Sequence, residues 1–151
     1  MRITTNKIMA LCLALVLAPA LAAAADDEAY IKYRQNVMKA QGGHIGGIVA
    51  IIKGQIPYTN QLVGHAEGLN DTAMMVGEAF SKETKGGETR AKAEIWTKSD
   101  EFKQKVKALE EATAAFLSAA RSGGVDAAKA KIGAVGDACK GCHENFREKQ
   151  S

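Results

Sequence analysis

Apolar side chains recur at steps of three and four residues along four segments of this chain, at 26–53, 58–81, 95–120 and 128–146. That spacing places them on one face of an α-helix, whereas a half-buried strand would alternate apolar and polar residues. No run in the sequence alternates in that way. Ala, Lys and Glu are plentiful and only two prolines occur, which also favours helices. We therefore predict an all-α chain.

Breaks in the apolar pattern separate the four segments. Gly54 and Pro57 follow the first segment, and Ser122, Gly123 and Gly124 end the third. The longest predicted loop is SKETKGGETR, after the second segment. Because the other connections are short, consecutive helices should run antiparallel. A chain of 151 residues is long enough for one buried core, so we predict a single antiparallel four-helix bundle.

The first 25 residues form a different kind of segment. Two basic residues precede an apolar run, which passes through Pro19 and ends in small residues at Ala25. The unbroken apolar run is shorter than the roughly 20 residues that a membrane-spanning helix needs. The pattern is typical of a secretory signal peptide. We predict a signal peptide at 1–25 and a mature periplasmic domain at 26–151 that is not embedded in a membrane.

Removal of that leader changes both the charge and the cysteine content. The remaining chain has 18 basic and 17 acidic residues, too even a balance for phosphate recognition, so we expect no nucleic-acid partner. Cys12 is lost with the leader, which leaves Cys139 and Cys142 in a compartment where disulfides are permitted.

Those two cysteines belong to the motif CKGCHENFR near the end of the fourth predicted helix. Cys139, Cys142 and His143 are spaced so that all three project from one side over about one helical turn. Val135 and Phe146 share that side, which therefore faces the core. C-x-x-C-H is the attachment motif of c-type haem, in which both thiols form thioethers and the imidazole binds the iron.

Three other kinds of site use the same residue types. A structural zinc site needs four ligands, and the only further histidines are His44 and His65, with no second cysteine pair. A thioredoxin-like pair would sit at a helix N-terminus after a strand, and a cysteine nucleophile would need an orienting third group. Haem is the favoured interpretation, and a small zinc-stabilised helical protein that uses Cys139, Cys142 and His143 is the alternative.

With CKGCHENFR at the end, YRQNVMK in the first helix, KGQIPY after it and AEIW before the third, the chain resembles the class II c-type cytochromes, the cytochrome c prime family. CKGCHENFR is specific, whereas the other segments support the resemblance only in combination. The resemblance covers 26–151 and implies a four-helix bundle with one covalent haem c. It also implies electron transfer, binding of NO or CO at the haem iron, or both of these functions. The sequence does not identify the periplasmic redox partner. The resemblance further implies a homodimer that packs through the first two helices. We expect no enzymatic turnover, because no acid–base pair accompanies the expected distal site.

The resemblance also implies roles for six residues. Cys139 and Cys142 would form the thioethers, and His143 would be the proximal iron ligand. Arg34 would hold a haem propionate in bidentate fashion, with Gln35 beside it.

Met38 matches the family position that faces the iron from the side opposite His143. Two roles are open to it, since a thioether sulfur is both an iron ligand and a flexible apolar filler. As the sixth ligand it would give a low-spin iron; as a shield it would leave the iron five-coordinate.

The segment GGHIGG follows Met38 within the first helix. Each of its four glycines costs up to about 1 kcal/mol relative to Ala in a helix. Either a neighbouring helix or the haem edge approaches the backbone here, or the helix is kinked or frayed. His44 points away from the Met38 face, so we predict a surface histidine rather than an iron ligand.

Overall fold

The computed structural model describes residues 6–149, and the side chains of 26–149. Its helices, in chain order, are α1 (Asn6–Ile52), α2 (Leu62–Met74), α3 (Val76–Ala79), α4 (Glu94–Thr97), α5 (Ser99–Lys129) and α6 (Ile132–Phe146). A short 3-10 turn, Thr59–Gln61, precedes α2. Helix α1 packs on α2, α2 on α5 and α5 on α6. The predicted all-α four-helix bundle is confirmed.

The predicted signal peptide, 1–25, falls on residues whose side chains lie outside this description. Within the described part of the chain, no helix combines the length and the apolar character that crossing a bilayer requires.

The second predicted helix is divided at Met75 into α2 and α3. The carbonyl oxygen of Thr72 accepts hydrogen bonds from the Gln41 side chain, at 3.3 Å, and from the backbone N–H of Met75, also at 3.3 Å. The second bond spans three residues instead of four, which tightens the last turn and ends α2. This division depends on a contact with α1, so the periodicity of the segment did not predict it.

Gly124 separates the third and fourth helical segments, as the sequence predicts. Its φ of 61° and ψ of −143° break α5, a backbone conformation that glycine adopts without steric cost. A few more helical residues follow, and α6 begins only at Ile132, four residues after the predicted start. The predicted end at Phe146 is confirmed.

The core consists of two clusters that lie one after the other along the bundle. The closed end contains Ile48, Ile51, Leu62, Ala66, Leu69, Phe116, Leu117, Ala120, Ala128 and Val135. The cavity end contains Val37, Ala73, Val76, Ala79, Ile95, Phe102, Val106, Leu109 and Phe146. Helices α1, α2, α5 and α6 contribute to both clusters, so the same four helices build two different interiors.

Candidate haem site

A cavity of about 500 Å³ opens at the cavity end between α1, α5 and α6. It brings together the six residues singled out in the sequence: Arg34, Gln35 and Met38 from α1, and Cys139, Cys142 and His143 from α6. Phe146, which the sequence places on the same side of the fourth helix, also lines the cavity, next to Arg147 of the same motif. The sequence did not predict the other aromatic and cationic lining residues, because no local motif marks them: Phe80, Phe102, Lys39, Arg90 and Lys105.

The wall formed by α6 carries the C-x-x-C-H motif. Cys139, Cys142 and His143 are half-buried and line the cavity together, as their spacing predicts. Burial raises the pKa of the Cys139 thiol, and it raises the pKa of Cys142 to about 11, so both thiols are protonated at neutral pH. Burial lowers the pKa of His143, helped by the positive charges of Arg147 and Arg90. This imidazole is therefore neutral at pH 7 and keeps a lone pair free for a metal.

The zinc alternative finds no support in this arrangement. A structural zinc site needs four ligands, with cysteine bound as thiolate. Across residues 26–149 no group of three or more His, Cys, Asp or Glu side chains is placed to hold a metal ion. Cys139, Cys142 and His143 therefore lie along one wall without converging on a common point.

Arg34 lies at the opposite wall with only 2% of its surface exposed. One terminal nitrogen donates to the carbonyl oxygen of Lys82 at 3.1 Å, and the other donates to the Thr84 hydroxyl at 2.7 Å. The guanidinium carbon is 5.5 Å from the ring centroid of Phe80 and 5.4 Å from that of Trp96. The buried Nε–H has no hydrogen-bond partner. Arg34 thus keeps at least its Nε–H for a carboxylate at the cavity.

Further bonds join the loop after α3, residues 80–93, to the middle of α1. Gln35 donates through Nε2 to the carbonyl oxygen of Glu88 at 2.9 Å. The Asp27 carboxylate accepts from the Lys85 backbone N–H at 2.9 Å and lies 3.2 Å from the Lys82 ammonium group. Arg34 and Gln35 therefore position this loop as well as bordering the cavity.

The far end of the same loop is attached to the end of α6. The Lys92 N–H donates to the Phe146 carbonyl oxygen at 3.1 Å, and the Glu148 N–H donates to the Arg90 carbonyl oxygen at 2.8 Å. Ala91 and Arg147 form an isolated antiparallel bridge. The loop consequently closes one side of the cavity, held by α1 at one end and by α6 at the other.

Met38 and His44 differ in their surroundings although both belong to α1. Met38 is half-buried, packs against the cavity-end cluster and lines the cavity. His44 is not among the lining residues, which agrees with its predicted direction. The prediction of a surface histidine was wrong, however, because His44 is half-buried beside His65 of α2. Every residue of GGHIGG is helical within α1, so the helix is not frayed here.

The cavity fits the haem that the resemblance implies. Its walls are mainly apolar and aromatic, which suits a flat macrocycle, and α6 supplies two protonated thiols and a neutral imidazole. The orphaned Nε–H of Arg34 suits an anionic carboxylate.

Comparison with known proteins agrees with this chemistry. A sequence profile of the family described as Cytochrome C' matches residues 29–147. Cytochrome c' of Pararhodospirillum photometricum is 39% identical over 125 residues, 82% of this chain and 100% of that protein. Cytochrome c' of Alcaligenes xylosoxydans xylosoxydans is 35% identical over 127 residues, 83% of this chain and 98% of the relative.

A solved structure extends the likeness to the fold. The nitric oxide complex of a mutant of cytochrome c prime from Alcaligenes xylosoxidans has a TM-score of 0.74 at 35% identity, covering 82% of this chain and 97% of that one. The extent of these matches confirms the family and, with it, the haem cofactor. This chain belongs to the cytochrome c' family, four-helix bundles that carry one covalently bound haem c.

Proposed function

We propose that this chain is an exported haem protein that binds a small gas, NO or CO, at the iron of a haem that Cys139, Cys142 and His143 would hold. The observation that carries the proposal is the cavity that joins these three residues to Arg34, Gln35 and Met38. A solved relative with 35% identity holds nitric oxide, which supports NO as a ligand.

The chain's own residues would divide the work of holding the group. Cys139 and Cys142 would each add an S–H across a vinyl double bond, which gives a thioether, and His143 would bind the iron through its neutral imidazole. Arg34 would donate its free Nε–H to a propionate, with Gln35 beside it. When bound, the haem supplies an iron centre that can bind a gas or change oxidation state.

Met38 determines which of two functions the iron serves. As an apolar side chain at the cavity wall, Met38 would limit the space in the cavity without binding the iron, which would leave the iron free to bind a gas. Electron transfer is the second candidate function. The observation that favours it is the thioether sulfur of Met38 at the cavity wall, because a Met that binds haem iron raises the reduction potential of the haem.

The attachment is tested by haem staining after denaturing electrophoresis. We expect the wild-type band to stain and the double variant Cys139→Ser, Cys142→Ser to lose the stain, because neither thioether can form. Lys140→Gln, between the two cysteines and exposed, is the matched control and should stain fully. Equal staining of the double variant would disprove attachment at these residues.

The choice between gas binding and electron transfer is tested with Met38→Leu. If Met38 only shields the iron, the optical spectrum is already high-spin and is unchanged by the substitution, while NO and CO association rates change. Met74→Leu is the control, because Met74 is 58% exposed and lies outside the cavity. A sharp low-spin spectrum that disappears in Met38→Leu, but not in Met74→Leu, would overturn gas binding as the resting function and support electron transfer.

We also propose that the mature chain forms a homodimer through α1 and the α2–α3 segment. Among the described residues, the large exposed apolar side chains are Tyr30, Tyr33, Tyr58, Met74 and Met75. All five belong to that half of the chain, which supports this surface as the contact. Sedimentation equilibrium should give twice the monomer mass, and Tyr33→Asp should lower it. A monomeric wild-type protein would contradict the dimer.

We also propose that the chain is exported to the periplasm. It is supported by the leader-like composition of 1–25. N-terminal sequencing of the purified holoprotein should begin at Asp26, and a chain that retains its leader in the cytoplasmic fraction would contradict export.

A further inference from the structure

His44 of α1 and His65 of α2 lie side by side, apart from the haem cavity. Their Nδ1 atoms are 3.4 Å apart, the ring centroids are 5.6 Å apart, and the ring planes meet at 70°. Neither residue lines the cavity. The third histidine of the chain, His143, has its own place on α6, so nothing in the proposed haem chemistry uses this pair.

A glycine on the opposite helix makes room for each ring. A Cβ at Gly47 of α1 would lie 2.6 Å from Cε1 of His65, which is closer than real Cβ contacts come. A Cβ at Gly68 of α2 would collide with the ring of His44. The contacts are reciprocal, so the two helices hold the two imidazoles in one arrangement from both sides. Gly47 lowers helix stability relative to Ala, but a larger residue at this position would collide with the His65 ring.

The separation of the two nitrogens distinguishes a metal site from a hydrogen bond. Hydrogen bonds from N–H groups in proteins are most often about 2.9–3.0 Å long, so 3.4 Å is a loose one. Two imidazole nitrogens on a tetrahedral ion at about 2.0–2.1 Å would be separated by about 3.3–3.4 Å. The observed distance matches that value.

We propose that His44 and His65 form a binding site for one borderline divalent transition-metal ion, of the Zn²⁺ and Cu²⁺ class that imidazole prefers. Within residues 26–149 no third His, Cys, Asp or Glu joins them, so water completes the coordination. The bound ion links α1 to α2 and stabilises the folded chain in proportion to its occupancy.

Calorimetric titration of the ferric holoprotein with Zn²⁺ tests the site. We expect one ion per chain, and at least about a tenfold loss of affinity in both His44→Gln and His65→Gln. Undiminished affinity in these variants, or no heat at millimolar Zn²⁺, would overturn the proposal.

Cu²⁺ provides a readout that does not require any variant to fold. The electron paramagnetic resonance spectrum of the wild-type holoprotein with one equivalent of Cu²⁺ should show coupling to two equatorial nitrogens. Coupling to none or to one nitrogen would contradict a site built from both rings.

Neighbouring glycines provide matched variants that keep both ligands. Gly47→Ala and Gly68→Ala should weaken Zn²⁺ binding by displacing a ring. Gly46→Ala and Gly64→Ala place a methyl group where nothing lies within 4 Å, so they should bind Zn²⁺ like the wild type. The haem spectrum should be unchanged in all four. Equal Zn²⁺ affinity in Gly47→Ala and Gly46→Ala would show that the close contact of Gly47 with the His65 ring does not position that ring.

Discussion

The closed end and the cavity end are built by the same helices and pack differently. Helix α5 contributes Phe116 and Leu117 to the closed end and Phe102, Val106 and Leu109 to the cavity end, with one continuous apolar stripe. The largest side chains with less than 2% exposure are mostly at the closed end: Phe116, Ile48, Leu62, Leu69 and Val135. At the cavity end the stripe instead faces a space of about 500 Å³.

The difference shows at which end side chains alone fill the space between the helices. Side chains at the closed end fill the space between the helices, so their dispersion contacts are all with other residues of the chain. At the cavity end, Phe102 touches Phe80 and Phe146, with ring centroids 5.4 Å and 5.2 Å apart, but the apolar walls still border open space. That end requires an apolar cofactor to reach the packing density that the closed end reaches alone.

Phe116→Ala should have the largest effect on this contrast. Phe116 has no exposed surface, and loss of its ring leaves a void among residues that pack against one another. We expect the free energy of unfolding of the holoprotein to fall by about 3–5 kcal/mol, measured in guanidinium chloride. The haem spectrum of the folded fraction should stay that of the wild type. A loss below 1 kcal/mol would mean that the closed end is less tightly packed than its burial indicates.

A matched pair of valines compares the two ends with one chemical change. Val135→Ala, at the closed end, should lower the free energy of unfolding by about 2 kcal/mol, from two buried methyl groups and the cavity they leave. Val106→Ala, at the wall of the haem cavity, should in addition shift the optical spectrum of the haem, whereas Val135→Ala should leave that spectrum unchanged. A spectral shift in Val135→Ala but not in Val106→Ala would contradict the distinction between the ends.

Trp96→Phe should have a smaller effect, confined to the cavity end. The indole Nε1–H donates to the carbonyl oxygen of Phe80 at 2.9 Å, and a phenyl ring cannot replace that bond. We expect a loss of about 1 kcal/mol in thermal or denaturant unfolding. Lys98→Gln, at an exposed position just before α5, is the control and should leave stability unchanged.

The smallest effect is a pH dependence of the loop at the cavity end. The Lys85 N–H and then the Lys82 ammonium group lower the pKa of Asp27 below its ordinary value of 3.8. The folded state therefore binds this proton less readily than the unfolded state does. The stabilising contribution is fully present above about pH 3.8 and is lost as the pH falls through the lower value of the folded state.

Hydrogen exchange of the Lys85 amide measures that loss. Its protection should fall in acid in the wild type, and Asp27→Asn should remove most of the pH dependence. Equal pH profiles in the two proteins would show that Asp27 does not hold the loop.

Periodicity was sufficient to predict the helices because each apolar stripe is a local property of its segment. It did not predict the interruption at Met75, where the Thr72 carbonyl oxygen also accepts a hydrogen bond from Gln41 on another helix. It also missed the break at Lys98, which separates α4 from α5. Periodicity also could not predict how the loop at the cavity end is attached to the bundle. A charged, glycine-rich segment has no period, and its attachment to Arg34 spans about 50 residues of sequence.

In the site, too, features that depend on one helix were predicted, and features that depend on contacts between helices were not. Cys139, Cys142 and His143 lie within about one turn of one helix, so their shared face followed from spacing alone. The direction of His44 was predicted correctly but its burial was not, because burial depends on Gly68 and His65 of α2. The roles of Met38, Arg34 and Gln35 stay predictions that the variants above are designed to test.

The sequence by itself therefore determined the all-α class and the motif that identifies the cofactor, because both depend on residues within a few turns of one another. Only the tertiary structure decided which end of the bundle is open, what holds Arg34 and its loop, and that two histidines 21 residues apart meet. Those outcomes depend on how side-chain volumes from different helices fill or leave the space between them, which no single segment encodes.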